Sequence, residues 1–444
     1  MCKISLSCAL VRLWDKGLSK IVYISIIIMF LGFNIMAEDL YSGIKELTLD
    51  NGIDVITYNR TNSKICSVRI AIKLPASAEN ENTAGIRNLL IDIMVRNTNK
   101  MNALELSKAI ENIGAIVSPV VSKDYIGISA SVLEEYLPQL LGILRDIVFN
   151  PSFEGFEEEK NKAIQRAQIT KDIWSEVLDL WTYKSLKTAY RFEVVGYPDT
   201  LKNIEKKDII KLYNKYVGGN NIVIVLAGNI NNIPDLAGKL SDFNIKTKKK
   251  NTLDSPVELP VKYNVYVERR NVDSSAFVMG FDSPTRGSDD YVNWWLFSTY
   301  LSNKLDDEIR QKRGWAYSAH SMLLNMLTKS FLIIRSDISN PENIDTAINI
   351  SKRYLDSESI KSISDSDFSL AKNMVVGSLS RANQTSSEIA SDILSNYLYK
   401  LPLNYSEVLL EKAKNIKKGD VLDLSSTLPR LTYSLIKIIS NNKK

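Results

Sequence analysis

Hydrophobic and polar residues follow two different periods along this chain, and the two periods recur in the same order. Between residues 45 and 75 the apolar positions alternate on both sides of Asn51-Gly52, which predicts a β-hairpin and a further strand over 67–74. From residue 84 the apolar positions recur every three to four residues, which is typical of helices. An apolar run over 221–228 predicts a buried strand. The expected helices are 84–96, 103–114, 131–149, 156–190 and 206–217.

The same order of elements begins again in the second half of the chain. A lysine-rich polar segment, 244–260, interrupts the hydrophobic pattern and predicts a linker. It separates a first half, 42–243, from a second half, 261–440. Both halves mix strands with helices, which favours an α+β fold of two similar layered units. In the second half, strands are expected at 263–269, 275–281 and 431–439, and helices at 289–309, 341–355 and 366–398.

The N-terminal segment, 1–37, has the pattern of a signal peptide. Lys16 and Lys20 precede an apolar run over 21–33, and the small residue Ala37 follows it. The run is short for a membrane-spanning helix, which needs about 20 apolar residues. A cleaved signal, an uncleaved anchor in the inner membrane and a buried segment are the three interpretations. The first two predict a periplasmic or otherwise exported location for the rest of the chain.

Composition and charge exclude several classes of protein. The chain has 444 residues, of which 45% are hydrophobic and 24% charged, as in ordinary globular proteins. The net charge is +5, and residues 1–37 hold four basic residues and one acidic residue, which leaves about +2 for the remainder. That charge is too small to predict a nucleic acid partner.

Histidine and cysteine are too scarce for several kinds of catalysis. The only histidine is His320, so a site built from two or three imidazoles is excluded. Two of the three cysteines, Cys2 and Cys8, lie in the N-terminal segment, which leaves Cys66 without a partner for a disulfide. Cys66 precedes an apolar strand, as a buried small residue does. For His320, a satisfied or exposed side chain is the more ordinary interpretation than a catalytic base.

Seven short segments nevertheless carry a resemblance to a known family when they are taken in order. They are Leu49-Asp-Asn-Gly-Ile-Asp-Val, Ala84-Gly-Ile, Ile110-Glu-Asn-Ile-Gly-Ala, Phe149-Asn-Pro-Ser-Phe, 216–229, Glu308-Ile-Arg-Gln-Lys-Arg-Gly-Trp-Ala-Tyr-Ser and 367–394. Over about 42–440 the chain resembles the pitrilysin/insulinase zinc peptidases, in the branch that contains the mitochondrial processing peptidases. The resemblance implies two homologous layered α/β halves that form a clamshell around an extended peptide, the processing-peptidase (LuxS/MPP-like metallohydrolase) fold.

The metal motif of that family is missing. Its peptidases hold zinc on His-x-x-Glu-His, in which the histidines bind the metal and the glutamate polarises the bound water. Asn88 and Asp92 stand at the histidine positions of this chain, and Ile91 stands at the glutamate. The further glutamate ligand would fall near Ala167 or Gln168. The resemblance therefore implies no metal in this chain. An ordinary core-facing helix is favoured over a site for a hard metal on Asn88 and Asp92.

A second feature of the family is retained. Its peptidases use an arginine and a tyrosine, seven residues apart, to bind the substrate backbone and the carbonyl oxygen of the bond that is cut. Arg310 and Tyr317 have this spacing. The alternative is a surface arginine in a salt bridge with Asp306, Asp307 or Glu308, beside a half-buried tyrosine at the start of a strand.

Three functions follow from this combination. The first is a non-catalytic subunit of a heterodimeric zinc metallopeptidase, in which a homologous partner chain holds the zinc and this chain supplies Arg310 and Tyr317 to bind a peptide or unfolded protein. The second is a pseudo-peptidase that acts as a peptide-binding or envelope scaffold. The third is an autonomous hydrolase with different chemistry. The sequence alone does not decide whether the single chain has enzymatic activity.

Overall fold

The computed structural model describes residues 43–169, 171–231, 236–243 and 264–441. From Ile44 onward the chain forms one compact unit. The predicted signal or anchor, 1–37, and the predicted linker, 244–260, lie outside the described residues. Among the described helices, none combines the length and apolar character that a membrane span requires.

The first half builds a six-stranded sheet in the order β1-β2-β6-β3-β5-β4. Only β2 and β6 run parallel; the other neighbours are antiparallel. The predicted Asn51-Gly52 hairpin is confirmed between β1 and β2, where Gly52 has a left-handed φ of +84° and its N–H donates to Leu49 O at 2.8 Å. The strands are β1 (Ile44–Thr48), β2 (Asp54–Asn59), β3 (Ile65–Ile72), β4 (Ile116–Val121), β5 (Ile126–Leu133) and β6 (Ile222–Gly228).

Within residues 264–441, the second half repeats this arrangement from the counterpart of β2 onward. Its sheet has the order β7-β11-β8-β10-β9, again with one parallel pair, β7 and β11, at the corresponding place. The two halves therefore share a sheet topology, as the repeated order of elements predicts. The strands are β7 (Asn264–Arg270), β8 (Ser275–Ser283), β9 (Ala319–Met326), β10 (Lys329–Ile338) and β11 (Tyr433–Ser440).

Helices cover both faces of each sheet because the apolar positions of the strands point to both sides. In the first half the helices are α1 (Ile86–Met94), α2 (Ala103–Asn112), α3 (Leu137–Phe149), α4 (Phe156–Gln168), α5 (Ile173–Ser185), α6 (Pro198–Asn203), α7 (Lys206–Tyr216) and α8 (Leu236–Ser241). In the second half they are α9 (Tyr291–Leu305), which continues into a π-helical turn (Asp306–Gln311), then α10 (Ile344–Arg353), α11 (Ser357–Lys361), α12 (Asp365–Arg381), α13 (Ser386–Leu398), α14 (Tyr405–Asn415) and α15 (Lys418–Leu422).

Each half lends one helix to the sheet of the other half. Helix α5 packs on β8, β10 and β11, where Val177 and Trp181 are fully buried against Phe331. Helix α13 packs on β3 and β6 in return. The two halves are therefore held together by these two helices. One face of each sheet is covered by a helix from the other half.

Three predicted elements differ from the structure. The predicted helix over 131–149 begins only at Leu137, because residues 126–133 alternate with period two and form β5. The predicted helices over 156–190 and 366–398 are each split in two. Asn383, with a φ of +66°, lies in the second break. Strand β4 and most of β5 have no counterpart among the predicted elements.

Candidate functional site

Helix α1 contains the positions of the lost zinc motif, and it begins directly after a closely packed glycine. Gly85 precedes it with a φ of +93°, and a Cβ at this position would lie 2.7 Å from the Cα of Gly196, so only glycine fits. A carboxylate oxygen of Glu79 accepts hydrogen bonds from the N–H groups of Gly85 and Arg87, at 3.1 and 3.2 Å. The negative charge therefore lies at the N-terminus of the helix, where the helix dipole favours it.

Glu79 also forms an ion pair with the side chain of Arg87 inside the protein. Arg87 Nε lies 3.4 Å from a carboxylate oxygen of Glu79, and only 1% of the Arg87 side chain and 2% of the Glu79 side chain are exposed. Burial raises the pKa of Glu79, and the guanidinium opposes that shift. Arg87 further donates to Leu74 O and Lys123 O. The sequence carries one signal for this pair, an arginine within an apolar helical stripe, and no local pattern indicates Glu79 as its partner.

The three motif positions occupy two different environments. Ile91 is fully buried in the core of the first half. Asn88 and Asp92 lie side by side and partly exposed, and Asn88 Nδ2 donates to Asp92 Oδ2 at 3.4 Å. The same oxygen of Asp92 forms an ion pair with Arg166 on α4. Burial raises the pKa of Asp92 to about 6, although the charge of Arg166 acts in the opposite direction.

These side chains do not fit a zinc ion. Zinc sites in proteins are built mainly from imidazole and thiolate ligands, with carboxylates in addition. Here one amide and one carboxylate are available, and the carboxylate already binds a guanidinium. Within the described residues no group of three His, Cys, Asp or Glu side chains could hold a metal. We therefore assign no chemical step in this chain to zinc.

Arg310 lies in the π-helical turn that follows α9. The turn is closed by a hydrogen bond from Lys312 N to Asp307 O at 2.9 Å, one residue longer than an α-helical bond. The Arg310 guanidinium pairs with Asp306 at 3.2 Å, and 47% of its side chain is exposed. The salt bridge that the acidic helix predicts as an alternative is thus present, in an exposed form.

Tyr317 stands on a fixed backbone with a free side chain. Its own N–H donates to Asp337 Oδ2 at 3.1 Å, and the N–H of Ser318 donates to Asp337 Oδ1 at 2.7 Å. The residue is nevertheless 84% exposed. Within the described part of the chain, no hydrogen bond joins it to Arg310. The structure therefore places both side chains on the surface of the second half.

His320 and Cys66 are packed residues. The imidazole of His320 meets the ring of Trp174 edge-on at 4.4 Å, next to Arg335. Burial lowers the pKa of His320 to about 4, and the charge of Arg335 lowers it further. Cys66 is 1% exposed, and burial raises the pKa of its thiol to about 11. Near neutral pH the imidazole is therefore neutral and a weak base, and the thiol is protonated.

The stability of the protein should depend on His320 in mild acid. The pKa of His320 is lower in the folded chain than the ordinary 6.5, so folding favours the neutral ring. Its contribution is complete above about pH 6.5 and is lost as the pH falls toward about 4. We expect a loss of about 1–2 kcal/mol, less than the shift alone implies, because the side chain is partly exposed.

Urea unfolding of the wild type and of His320→Gln, at several pH values between about 4 and 8, measures this contribution. The difference in unfolding free energy between the two proteins should change across that interval. Curves that stay parallel over the whole interval would contradict the assignment.

Comparison with known proteins identifies the family. A family model described as insulinase (peptidase family M16) matches residues 54–199. A second model, described as the peptidase M16 inactive domain, matches residues 203–375. The chain belongs to the insulinase family of peptidases.

The individual relatives have low sequence identity to this chain. A protein of Rickettsia felis, named an uncharacterized zinc protease, is 22% identical over 405 residues, which cover 86% of this chain and 93% of that protein. The mitochondrial-processing peptidase subunit beta of rat is 26% identical over 186 residues, 41% of this chain and 38% of the relative. A solved structure from Pseudomonas fluorescens, described as a peptidase M16 inactive domain, has a TM-score of 0.80 at 16% identity and covers 90% of this chain and 99% of its own. This last likeness shows the fold.

Proposed function

We propose that this insulinase-family chain is a non-catalytic subunit that completes the active site of a homologous, zinc-bearing peptidase chain. In this proposal Arg310 and Tyr317 bind the substrate peptide and stabilise the carbonyl oxygen of the bond that is cut. The observation that carries the proposal is the exposed side chain of Tyr317 on a hydrogen-bonded backbone. Its backbone is held by Asp337, while 84% of the residue is exposed, so its phenol O–H is free to donate to another molecule.

The two side chains suit that role chemically. A phenol provides one directed donor, and a guanidinium provides five donors that stay charged. When a peptide carbonyl is attacked, its oxygen becomes an oxyanion, and donors already held in place stabilise that charge. Arg310 sits in a π-helical turn, a local distortion that is frequent at functional sites. Its salt bridge to Asp306 is exposed, so breaking this pair to bind a substrate group costs little free energy.

A second chain is required because α1 lacks the means to activate water. Its motif positions hold an amide, a buried isoleucine and a carboxylate paired with Arg166. One of the relatives, the rat protein, is named as a subunit, which supports an arrangement in which related chains act together. The peptide substrate would lie between the two chains, with zinc supplied by the partner.

The location that we propose is outside the inner membrane. The support is the pattern of Lys16, Lys20 and the apolar run over 21–33, which is typical of an export signal or an anchor. A partner and a substrate would then be exported proteins or peptides of the same compartment.

Copurification of the full chain from its native cells tests the proposal. The expected result is a homologous chain that carries His-x-x-Glu-His and lacks the arginine–tyrosine pair. Peptide hydrolysis should require both chains and stop on chelation of zinc. Hydrolysis by the partner at the same rate with and without this chain, at concentrations that give full assembly, would contradict the proposal.

The exposed Asp306–Arg310 pair favours one alternative, a scaffold that binds peptides without catalysis. In a scaffold the arginine could remain in its salt bridge. Peptide binding by the purified single chain, unchanged by Arg310→Ala and Tyr317→Phe, would support the alternative over the subunit.

A further inference from the structure

Charged side chains form part of the contact between α1 and α4, beside the apolar core of the first half. On α1 and just beyond it are Asp92 and Arg96; on α4 are Glu158, Glu159, Lys162 and Arg166. Arg96 pairs with both glutamates, and Lys162 pairs with the same two at 2.9 Å. Asp92 pairs with Arg166. Three acidic and three basic side chains thus form a neutral group along the two helices.

The position of Asp92 in this group is informative. It stands where the family has a zinc-binding histidine, and the other such position, Asn88, touches it directly at 3.4 Å. The Asp92 carboxylate is mostly buried, with 14% of its side chain exposed, so it needs a nearby cation. Arg166 provides one, from the helix on which the family's further zinc ligand falls.

We infer that the guanidinium of Arg166 takes the place of the metal ion in this chain, as the cation that joins α4 to α1. A divalent ion in the place of Arg166 would leave the group with one uncompensated positive charge, whereas one guanidinium balances Asp92. The guanidinium donates a hydrogen bond to Asp92 Oδ2 through one terminal nitrogen, a charge-assisted bond that joins the two helices. The junction of α1 and α4 would accordingly be independent of zinc and of chelators.

The consequence can be measured on the purified full chain alone, by urea unfolding of single and double variants. Arg166→Met keeps the unbranched apolar stem of the side chain and removes the guanidinium, which leaves Asp92 without its cation. We expect the unfolding equilibrium constant to rise about tenfold. Lys162→Met, one turn earlier on the same helix, removes a half-exposed ammonium from two glutamates that both keep Arg96 as a partner. It should change the constant about twofold or less.

Two double variants separate charge from packing. Asp92→Asn combined with Arg166→Met leaves no unpaired charge and should recover most of the loss, which gives a coupling between the two positions of about fivefold. Asp92→Arg combined with Arg166→Asp restores an ion pair and should be more stable than either single exchange. Additive effects in both sets would overturn the inference.

Metal analysis provides the second arm. The dialysed wild type should contain less than one zinc per chain, and its thermal unfolding should be the same in EDTA and in added zinc. A stoichiometric zinc whose removal lowers the melting temperature would overturn the inference. Neither arm involves a partner chain, so the result is separate from that of the proposed function.

Discussion

Replacing Tyr317 by phenylalanine is expected to lower the turnover of the reconstituted two-chain peptidase by about 10²–10³, the effect of deleting one oxyanion donor. The phenol O–H makes no hydrogen bond within the described residues, and the ring is 84% exposed. Its loss should therefore leave the unfolding free energy of this chain unchanged. Steady-state hydrolysis of a peptide by the zinc-bearing chain, mixed with each variant at saturating concentration, measures the effect.

Tyr354→Phe is the matched control, because it removes a phenol O–H from the same half of the chain at a half-buried position. It should leave turnover unchanged. Arg310→Ala, measured beside Tyr317→Phe, should also raise KM, since the guanidinium would bind the substrate backbone as well. Equal turnover for the wild type and Tyr317→Phe, with assembly verified, would end the proposal and favour the scaffold.

Trp181→Ala should cause the largest loss of stability, about 3–5 kcal/mol in the free energy of unfolding. Trp181 lies on α5 of the first half but is fully buried against the sheet of the second. Its ring meets Phe331 edge-on at 5.4 Å, and its Nε1 donates to Ser434 O at 3.3 Å. The ring also fills the space above Gly280, where a Cβ would lie 2.0 Å from it.

Urea unfolding measures this loss, with Trp174→Ala as the matched control on the same helix. Trp174 is half-buried and stacks on the guanidinium of Arg335 at 4.0 Å, so its removal should cost about 1 kcal/mol. Equal losses for the two variants would show that α5 is not anchored mainly by Trp181. Because α5 packs on the sheet of the second half and α13 on that of the first, the destabilised variant should still unfold as one unit.

Local patterns in the sequence determined several features that the structure confirms. The Asn51-Gly52 turn between alternating apolar residues predicts the β1–β2 hairpin, because only a few turn conformations suit adjacent strands. The repeated order of strands and helices predicts two sheets of equivalent topology. Asn88, Ile91 and Asp92 also predict that this chain holds no zinc; this depends only on residue types and stays a prediction.

Strand β5 shows a segment whose local pattern fits both a strand and a helix. Ile126, Ile128, Ala130 and Val132 alternate with period two. The stretch that follows also suits a helix, so the predicted helix over 131–149 begins before the observed one at Leu137. Short apolar runs fit both periods, and pairing with β3 and β4 decides between them. Such pairing depends on segments that are distant in sequence.

Only the tertiary structure decided which elements meet. Periodicity gives α5 and α13 an apolar face but does not say that each packs on the sheet of the other half. Likewise, the sequence contains Glu79, Arg87, Asp92 and Arg166 without indicating that they pair as Glu79–Arg87 and Asp92–Arg166. The physical reason is that burial and hydrogen bonding depend on distances through space. The pattern of residues along a chain records which side of an element is apolar, whereas the folded chain determines the partner that covers it.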